Sequence, residues 1–176
     1  GGTGGKANVP NAVDPTPAGS VNFETYSHGG GYSPKYQEFW YPEWSGTTIY
    51  RINKSYQQTG TFTSGLGDMM SVCGDTDGTY YTANWGNAKF IKWSDKGDQK
   101  LWEYPIGTTC GGACTDGVYV YGMRNGDSIV YKVNKDSGQL VEQFNLSGAN
   151  PTTLYGGLVC TPGRLYVSWQ NRRVEY

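Results

Sequence analysis

The fold is decided by one short stretch, residues 115–121, which read Thr115-Asp116-Gly117-Val118-Tyr119-Val120-Tyr121. An Asp-Gly turn pair opens it, and an alternating strand follows. A second alternating run covers residues 129–133, a Lys-Asp-Ser-Gly turn covers 135–138, and a third run covers 140–144. Glycine supplies the positive φ that tight hairpin turns need. The stretch therefore predicts an antiparallel meander of short strands.

The same pattern recurs upstream and downstream in the chain. The turn glycines Gly78, Gly117 and Gly163 are separated by 39 and 46 positions. A degenerate earlier copy covers residues 39–63. Repeats of about 40 to 50 residues built only from strands are typical of propeller blades. We therefore predict an all-β propeller of about four short blades, over residues 27–65, 66–107, 108–150 and 151–176.

Two segments, residues 97–104 and 131–141, resemble the repeat of quinoprotein-type (PQQ-like) β-propellers. That repeat runs from a strand through an Asp-x-x-x-Gly turn into a strand that ends near Trp. The chain departs from it at Glu142, where the family usually has Trp, and in having about four units where the quinoprotein enzymes have eight blades. The resemblance therefore implies the architecture and a non-enzymatic member of the family rather than its chemistry.

Composition excludes several classes of function. The chain has 176 residues, of which 16% are charged, and a formal net charge of -1. Such a chain has no basic field for nucleic acid and no polybasic patch for a membrane surface. No run of apolar residues approaches the length that spans a bilayer. We expect neither a nucleic-acid partner nor a membrane span.

The N-terminal 26 residues divide into an arm and a strand. Residues 1–20 are rich in Gly and Pro and have almost no apolar periodicity, which predicts an extended arm that is mobile alone or orders on a neighbouring subunit. Val21, Phe23 and Tyr26 alternate with polar residues, which predicts a strand. We expect this assembly strand to complete the last blade, within its own chain or in the next subunit.

Four cysteines fall on the predicted innermost strands or their exits. Three connectivities are possible, and we favour Cys73 with Cys110 and Cys114 with Cys160. Two N-glycosylation acceptors occur, at Asn53 and Asn145. Paired cysteines with surface acceptor sites favour an extracellular protein, secreted or at the cell surface, that carries covalent glycans.

The chain shows no catalytic constellation. His28 is the only histidine, so a zinc site or a nucleophilic triad would lack its partners. Asp75 and Asp77 resemble part of a calcium loop, but the repeated Asp-Gly pair is explained by hairpin turns. We predict no enzyme activity, no metal and no cofactor. An enzyme of the quinoprotein or propeller-hydrolase type would require more blades or a metal site.

Aromatic residues supply the remaining functional signal. One interpretation is a sugar-stacking rim, because aromatic faces pack on the apolar faces of sugars. The alternative is packing between blades, which repeats because the blades repeat. The residues concerned are Trp40, Tyr41, Trp44, Tyr81 and Trp85.

Two functions from different classes follow from these observations. The first is a non-catalytic structural subunit of an extracellular assembly or filament, joined through the arm and the assembly strand to other copies of itself or to other extracellular proteins. The second is a propeller that recognises carbohydrate or protein through the aromatic rim.

Overall fold

The computed structural model of the chain describes residues 26–126, 129–146, 157–169 and 173–175. Within these ranges the regular structure consists of β-strands, without a helix. The strands are β1 (Gly31–Ser33), β2 (Glu38–Pro42), β3 (Thr48–Ile52), β4 (Gln58–Thr63), β5 (Met69–Gly74), β6 (Tyr80–Asn84), β7 (Lys89–Trp93), β8 (Lys100–Pro105), β9 (Cys110–Thr115), β10 (Tyr119–Arg124), β11 (Ile129–Asn134), β12 (Leu140–Asn145), β13 (Leu158–Thr161), β14 (Arg164–Trp169) and β15 (Arg173–Glu175).

Consecutive strands pair into four antiparallel sheets, each a simple meander. Sheet one contains β1 to β4, sheet two β5 to β8, and sheet three β9 to β12. Sheet four contains β13 to β15 among the described residues. The prediction of an all-β propeller fold with about four blades is confirmed.

The Asp-Gly turns have the geometry that their sequence predicts. Gly117 has a φ of 92°, which a residue with a Cβ rarely adopts. The Asp116 carboxylate accepts hydrogen bonds from the backbone N–H groups of Val118 at 2.9 Å and Tyr119 at 2.7 Å. In sheet two, Asp77 accepts the N–H of Thr79 in the same way, at 2.9 Å. Each carboxylate therefore stabilises the turn in which it lies.

The innermost strands β1, β5, β9 and β13 lie beside one another in chain order. Gly29 forms a parallel bridge with Ser71, and the Ser71 hydroxyl accepts the N–H of Ala113 at 3.2 Å. Close approach of these strands depends on glycine, since a Cβ at Gly31 would overlap the carbonyl oxygen of Val72. The sheets consequently radiate from one axis.

The core lies between sheets rather than in one central mass. Three clusters fill the three gaps between adjacent sheets. Burying one such side chain contributes about 1.5 to 3 kcal/mol. Between sheets one and two lie Trp40, Ile49, Met69, Val72, Tyr80, Ile91 and Trp93. Between sheets two and three lie Met70, Tyr81, Ala83, Phe90, Ile106, Cys110, Ala113, Val120, Tyr131 and Val133. Between sheets three and four lie Cys114, Met123, Val130, Leu158 and Val167.

Candidate functional site

Sheet one has an aromatic face on the side turned away from sheet two, which we name the outer face of sheet one. Tyr32 and Phe39 are cross-strand partners there, with ring centroids 5.3 Å apart. They are 38% and 41% exposed. Tyr41 and Tyr50, which pair across β2 and β3, share this face because strand residues alternate. An aromatic surface is thus presented by the first sheet of the chain.

The outer face of sheet one has the same strand pairing as the face of sheet two that packs against sheet one. Phe39 pairs with Ile52, as Tyr80 pairs with Trp93 on the face of sheet two that packs against sheet one. Tyr80 is fully buried and Trp93 is 2% exposed. The outer face of sheet one therefore has the composition of a surface that receives a neighbouring sheet.

A buried network behind this face holds its strands in place. Glu38 accepts hydrogen bonds from Arg51 at 2.8 and 3.0 Å, from Thr59 at 2.9 Å and from the Trp40 indole at 3.2 Å. Burial alone would raise the pKa of Glu38, but these donors outweigh it and hold the pKa below its ordinary value. Because its donors come from β2, β3 and β4, the ionised carboxylate ties three strands together.

Sheet four carries an exposed apolar residue on the side turned away from sheet three, which we name the outer face of sheet four. Val159 and Tyr166 are cross-strand partners, and Val159 is 59% exposed. Their neighbours Leu158 and Val167 also pair with each other and are buried toward sheet three. Alternation along β13 and β14 therefore gives sheet four two different faces.

The structure separates the five residues of the predicted aromatic rim. Trp40 and Tyr81 are fully buried, each in a cluster between sheets, so placing them on a rim was wrong. Tyr41 lies on the outer face of sheet one. The inter-blade packing that we gave as the alternative describes Trp40 and Tyr81, because both point from their strands into an adjacent sheet.

Trp44 and Trp85 do come together. Their ring centroids are 6.4 Å apart, and His28 stands edge-on to Trp44 at 4.4 Å. Both indoles are half-buried against the cluster between sheets two and three, while His28 is exposed. The loops after β2 and β6 carry these tryptophans, so this aromatic group lies at the end of the molecule where the innermost strands begin.

The predicted assembly strand lies largely outside the described residues, which include neither Val21 nor Phe23. Tyr26 is described and lies outside the strands, with 87% of its surface exposed. Its carbonyl accepts the N–H of Trp44 at 2.8 Å. Tyr26 itself therefore lies outside a strand, beside the loop after β2, and the strand over residues 21–25 stays a prediction.

Cys114 and Cys160 form a disulfide that joins β9 to β13. The favoured Cys73–Cys110 pair is not formed, and both of these cysteines are free. The innermost strands run parallel, and Cys73 lies near the end of β5 whereas Cys110 begins β9. The two thiols therefore lie at opposite ends of neighbouring strands. Burial raises the pKa of each to about 12, so both are poor nucleophiles.

The two predicted glycosylation acceptors lie in different surroundings. Asn53 caps the turn between β3 and β4, where its carbonyl oxygen accepts the N–H groups of Ser55 and Gln57 at 2.9 and 3.0 Å. Asn145 ends β12 and is exposed. Glycan attachment at either residue stays a prediction.

A charged group that the sequence did not suggest links sheets two and three. Asp75, 2% exposed, pairs with Lys135 at 3.2 Å and accepts the Tyr81 hydroxyl at 3.0 Å. The Lys135 carbonyl accepts Lys92 at 3.1 Å and the Trp102 indole at 2.9 Å. Burial raises the pKa of Tyr81, and Asp75 raises it further. The three contacts to Lys135 therefore join sheet two to sheet three, while the Tyr81 hydroxyl holds Asp75 from within sheet two.

A cleft of about 290 Å³ separates the rims of sheets three and four. In sheet two, Trp102 stands opposite Lys92 and its ring lies against Gly138 of the next sheet. Glu142 occupies the corresponding place opposite Lys132 in sheet three. The substitution of Glu for Trp leaves the cleft open. It is lined by Asp116, Tyr121, Lys132, Glu142, Phe144, Thr161, Gly163, Arg164 and Leu165.

Two further features concern the described residues alone. They contain no group of three or more His, Cys, Asp or Glu side chains arranged to hold a metal ion. In the same parts of the chain, no helix has the length and apolar character needed to cross a membrane.

Comparison with known proteins supports the fold and goes no further. No family model matches the chain, and no curated protein matches it. Solved structures do match. The RRP9 WD40 repeats align with a TM-score of 0.62 and 11% identity, over 88% of this chain and 52% of theirs.

Two enzymes also align, with slightly lower TM-scores. Hydrazine synthase from Kuenenia stuttgartiensis has a TM-score of 0.59 and 15% identity, over 92% of this chain and 51% of that chain. A streptogramin B lyase has a TM-score of 0.59 and 16% identity, over 85% and 53%. The chain thus spans about half the length of the structures that it matches. At these identities the likeness establishes a β-propeller-type fold.

Proposed function

We propose that this chain is a non-catalytic structural module that self-associates in an extracellular assembly. The observation that carries the proposal is the outer face of sheet one. Phe39 is 41% exposed there, on a surface whose counterpart in sheet two is buried by a neighbouring sheet. Exposed aromatic surface of this kind is stabilised when a partner covers it.

Two other observations support parts of the proposal. The Cys114–Cys160 disulfide fits an oxidising compartment outside the cell. The carboxylates with lowered pKa values, Glu38, Asp77, Asp95, Glu103 and Asp116, each bind a turn or a neighbouring strand. These carboxylates stabilise the fold, which fits a module that has a structural role.

Sedimentation velocity of the 176-residue chain over a wide concentration range tests this function. We expect the wild type to form species larger than a monomer and Phe39→Glu to sediment as a monomer, because the new charge would lose its water at the contact. Leu101→Glu is the matched control, since Leu101 is 47% exposed on the outer strand of sheet two. A wild type that stays monomeric at every concentration contradicts the proposal.

A second function, recognition of carbohydrate, is favoured by the pair of half-buried tryptophans beside exposed His28. Trp44 and Trp85 offer adjacent ring faces, which suits stacking against sugar rings. Titration with oligomers of glucose, mannose and N-acetylglucosamine, followed by tryptophan fluorescence, tests it. Saturable quenching that is lost in Trp85→Ala, with unfolding unchanged, supports recognition. Quenching that survives Trp85→Ala contradicts it.

A further inference from the structure

We infer that the outer face of sheet one binds the outer face of sheet four of a second copy of this chain. The inference rests on the proposed self-association and names the surface that each copy contributes. The contact is head-to-tail, because sheet one of one copy packs on sheet four of the next copy.

The register of sheet one defines the kind of partner that fits. Sheet two receives sheet one on the face that carries Tyr80 and Trp93. Phe39 and Ile52 occupy the same places in sheet one. The matching occupant is accordingly another β-sheet, packed face to face, rather than a helix or an extended peptide.

The direction of packing selects one sheet of the second copy. In the chain, each sheet is followed by the next with the innermost strands parallel, as the bridge between Gly29 and Ser71 indicates. Each sheet contacts the next one in the chain with the same one of its two faces. A sheet of a second copy that packs on sheet one in the same orientation must therefore use this face. Sheet four offers this face, on which Val159 is 59% exposed.

The size of the aligned propellers supports two copies. This chain covers 51 to 53% of the solved chains that it matches. Two sets of four sheets therefore correspond to the length of one such chain. A head-to-tail contact gives a closed ring when the rotation between copies closes and a filament when it does not.

A complementation experiment tests the contact. Phe39→Glu blocks the outer face of sheet one, and Val159→Glu blocks the outer face of sheet four. Alone, each variant lacks one half of every contact, so we expect dissociation constants at least tenfold above that of the wild type. Mixed in equal amounts, the two variants retain one intact face each, and these can meet. We therefore expect heterodimers in the mixture.

Native mass spectrometry with one variant labelled by ¹⁵N identifies those heterodimers, and thermal unfolding checks that both variants fold. Tyr32→Glu serves as a second block of sheet one, since Tyr32 is 38% exposed. Recovery of labelled-unlabelled pairs with either sheet-one variant supports the inference. A mixture that stays monomeric overturns it.

The remaining outcomes separate this inference from the proposed function. If Phe39→Glu dissociates the assembly while Val159→Glu assembles as the wild type does, the outer face of sheet one has another occupant, and only the inference fails. Loss of assembly on deletion of residues 1–25 would then identify the arm as that occupant. If both variants assemble as the wild type does, copies associate through other surfaces, and only the inference fails. If the wild type is itself monomeric, the inference and the proposed function both fail.

Discussion

Asp75 and Lys135 form an ion pair across the boundary between sheets two and three, with 3.2 Å between the carboxylate and ammonium groups. The Asp75 side chain is 2% exposed. A carboxylate this deeply buried needs its partner, because water cannot replace the lost interaction. The pair is therefore one of the contacts that hold adjacent sheets in place.

Lys135→Met leaves the Asp75 carboxylate without its counter-charge. We expect a loss of about 3 kcal/mol in the free energy of unfolding, measured in guanidinium chloride. The matched control is Lys35→Met, which breaks a pair with Asp95 that is 2.7 Å long but more than a third exposed on both sides. There we expect a much smaller loss, because solvent screens an exposed pair. Equal losses in the two variants would contradict the assigned role of burial.

Glu38 makes the stability of sheet one depend on acid. Its folded-state pKa lies below the ordinary value of 4.5, so folding favours the ionised form. That contribution is fully present above the unfolded pKa and is lost as the pH falls from about 4.5 through the folded pKa. We expect Glu38→Gln to be less stable than the wild type at pH 7. The difference in unfolding free energy should shrink on acidification toward pH 3. A difference that is constant with pH would refute this assignment.

The cysteines should divide into two chemical classes. In the native protein at pH 7 we expect no maleimide labelling of Cys110, which is buried, and slow labelling of Cys73, which is partly exposed, because the pKa of both thiols is raised to about 12. Mass spectrometry should find two labels after denaturation and four after denaturation with reduction.

Loss of the disulfide should be costly. The Cys114–Cys160 bond closes a separation of 46 residues, which constrains the unfolded chain by about 4 kcal/mol in the loop-entropy treatment. We expect the double variant Cys114→Ala, Cys160→Ala to lose about 2 to 4 kcal/mol in urea unfolding. Maleimide labelling of Cys114 and Cys160 in denatured protein that has not been reduced would show instead that the bond is absent.

Truncation to Ala should destabilise the fold strongly at Trp40 and only slightly at the adjacent residue Phe39. Trp40 is fully buried, so Trp40→Ala should cost about 3 to 5 kcal/mol of unfolding free energy. Phe39 points to the other side of the strand, and Phe39→Ala should change stability by about 0.5 kcal/mol or less at concentrations where the chain is monomeric. Thermal unfolding at low concentration measures both. Similar losses would mean that both sides of β2 are equally covered.

Local chemistry made the architecture predictable. The repeating Asp-Gly turns and the alternating runs after them, such as residues 115–121, follow from the φ preference of glycine and the two-residue period of strands. Both are properties of neighbouring residues. The four meanders and the β-propeller-type fold could therefore be read before any packing was known.

Most contacts between sheets were beyond the reach of the sequence, although the predicted Cys114–Cys160 disulfide is confirmed. The predicted aromatic rim lost Trp40 and Tyr81, because packing between sheets buries both side chains. Ligand binding by Trp44 and Trp85 stays a prediction. The ion pair of Asp75 with Lys135 joins residues that are 60 positions apart, with no local signal linking them. Phe39 could have been found from the alternation of β2, although not its exposure.

The sequence by itself determined the strands, their turns and their grouping into repeats, because each depends on residues close together in the chain. Tertiary structure decided which face of each sheet is covered, which cysteines meet and which aromatic side chains reach the surface. Those properties depend on the parallel arrangement of innermost strands such as β5 and β9, which places Cys73 and Cys110 at opposite ends. Distances across sheets, rather than spacing along the chain, determine such pairings.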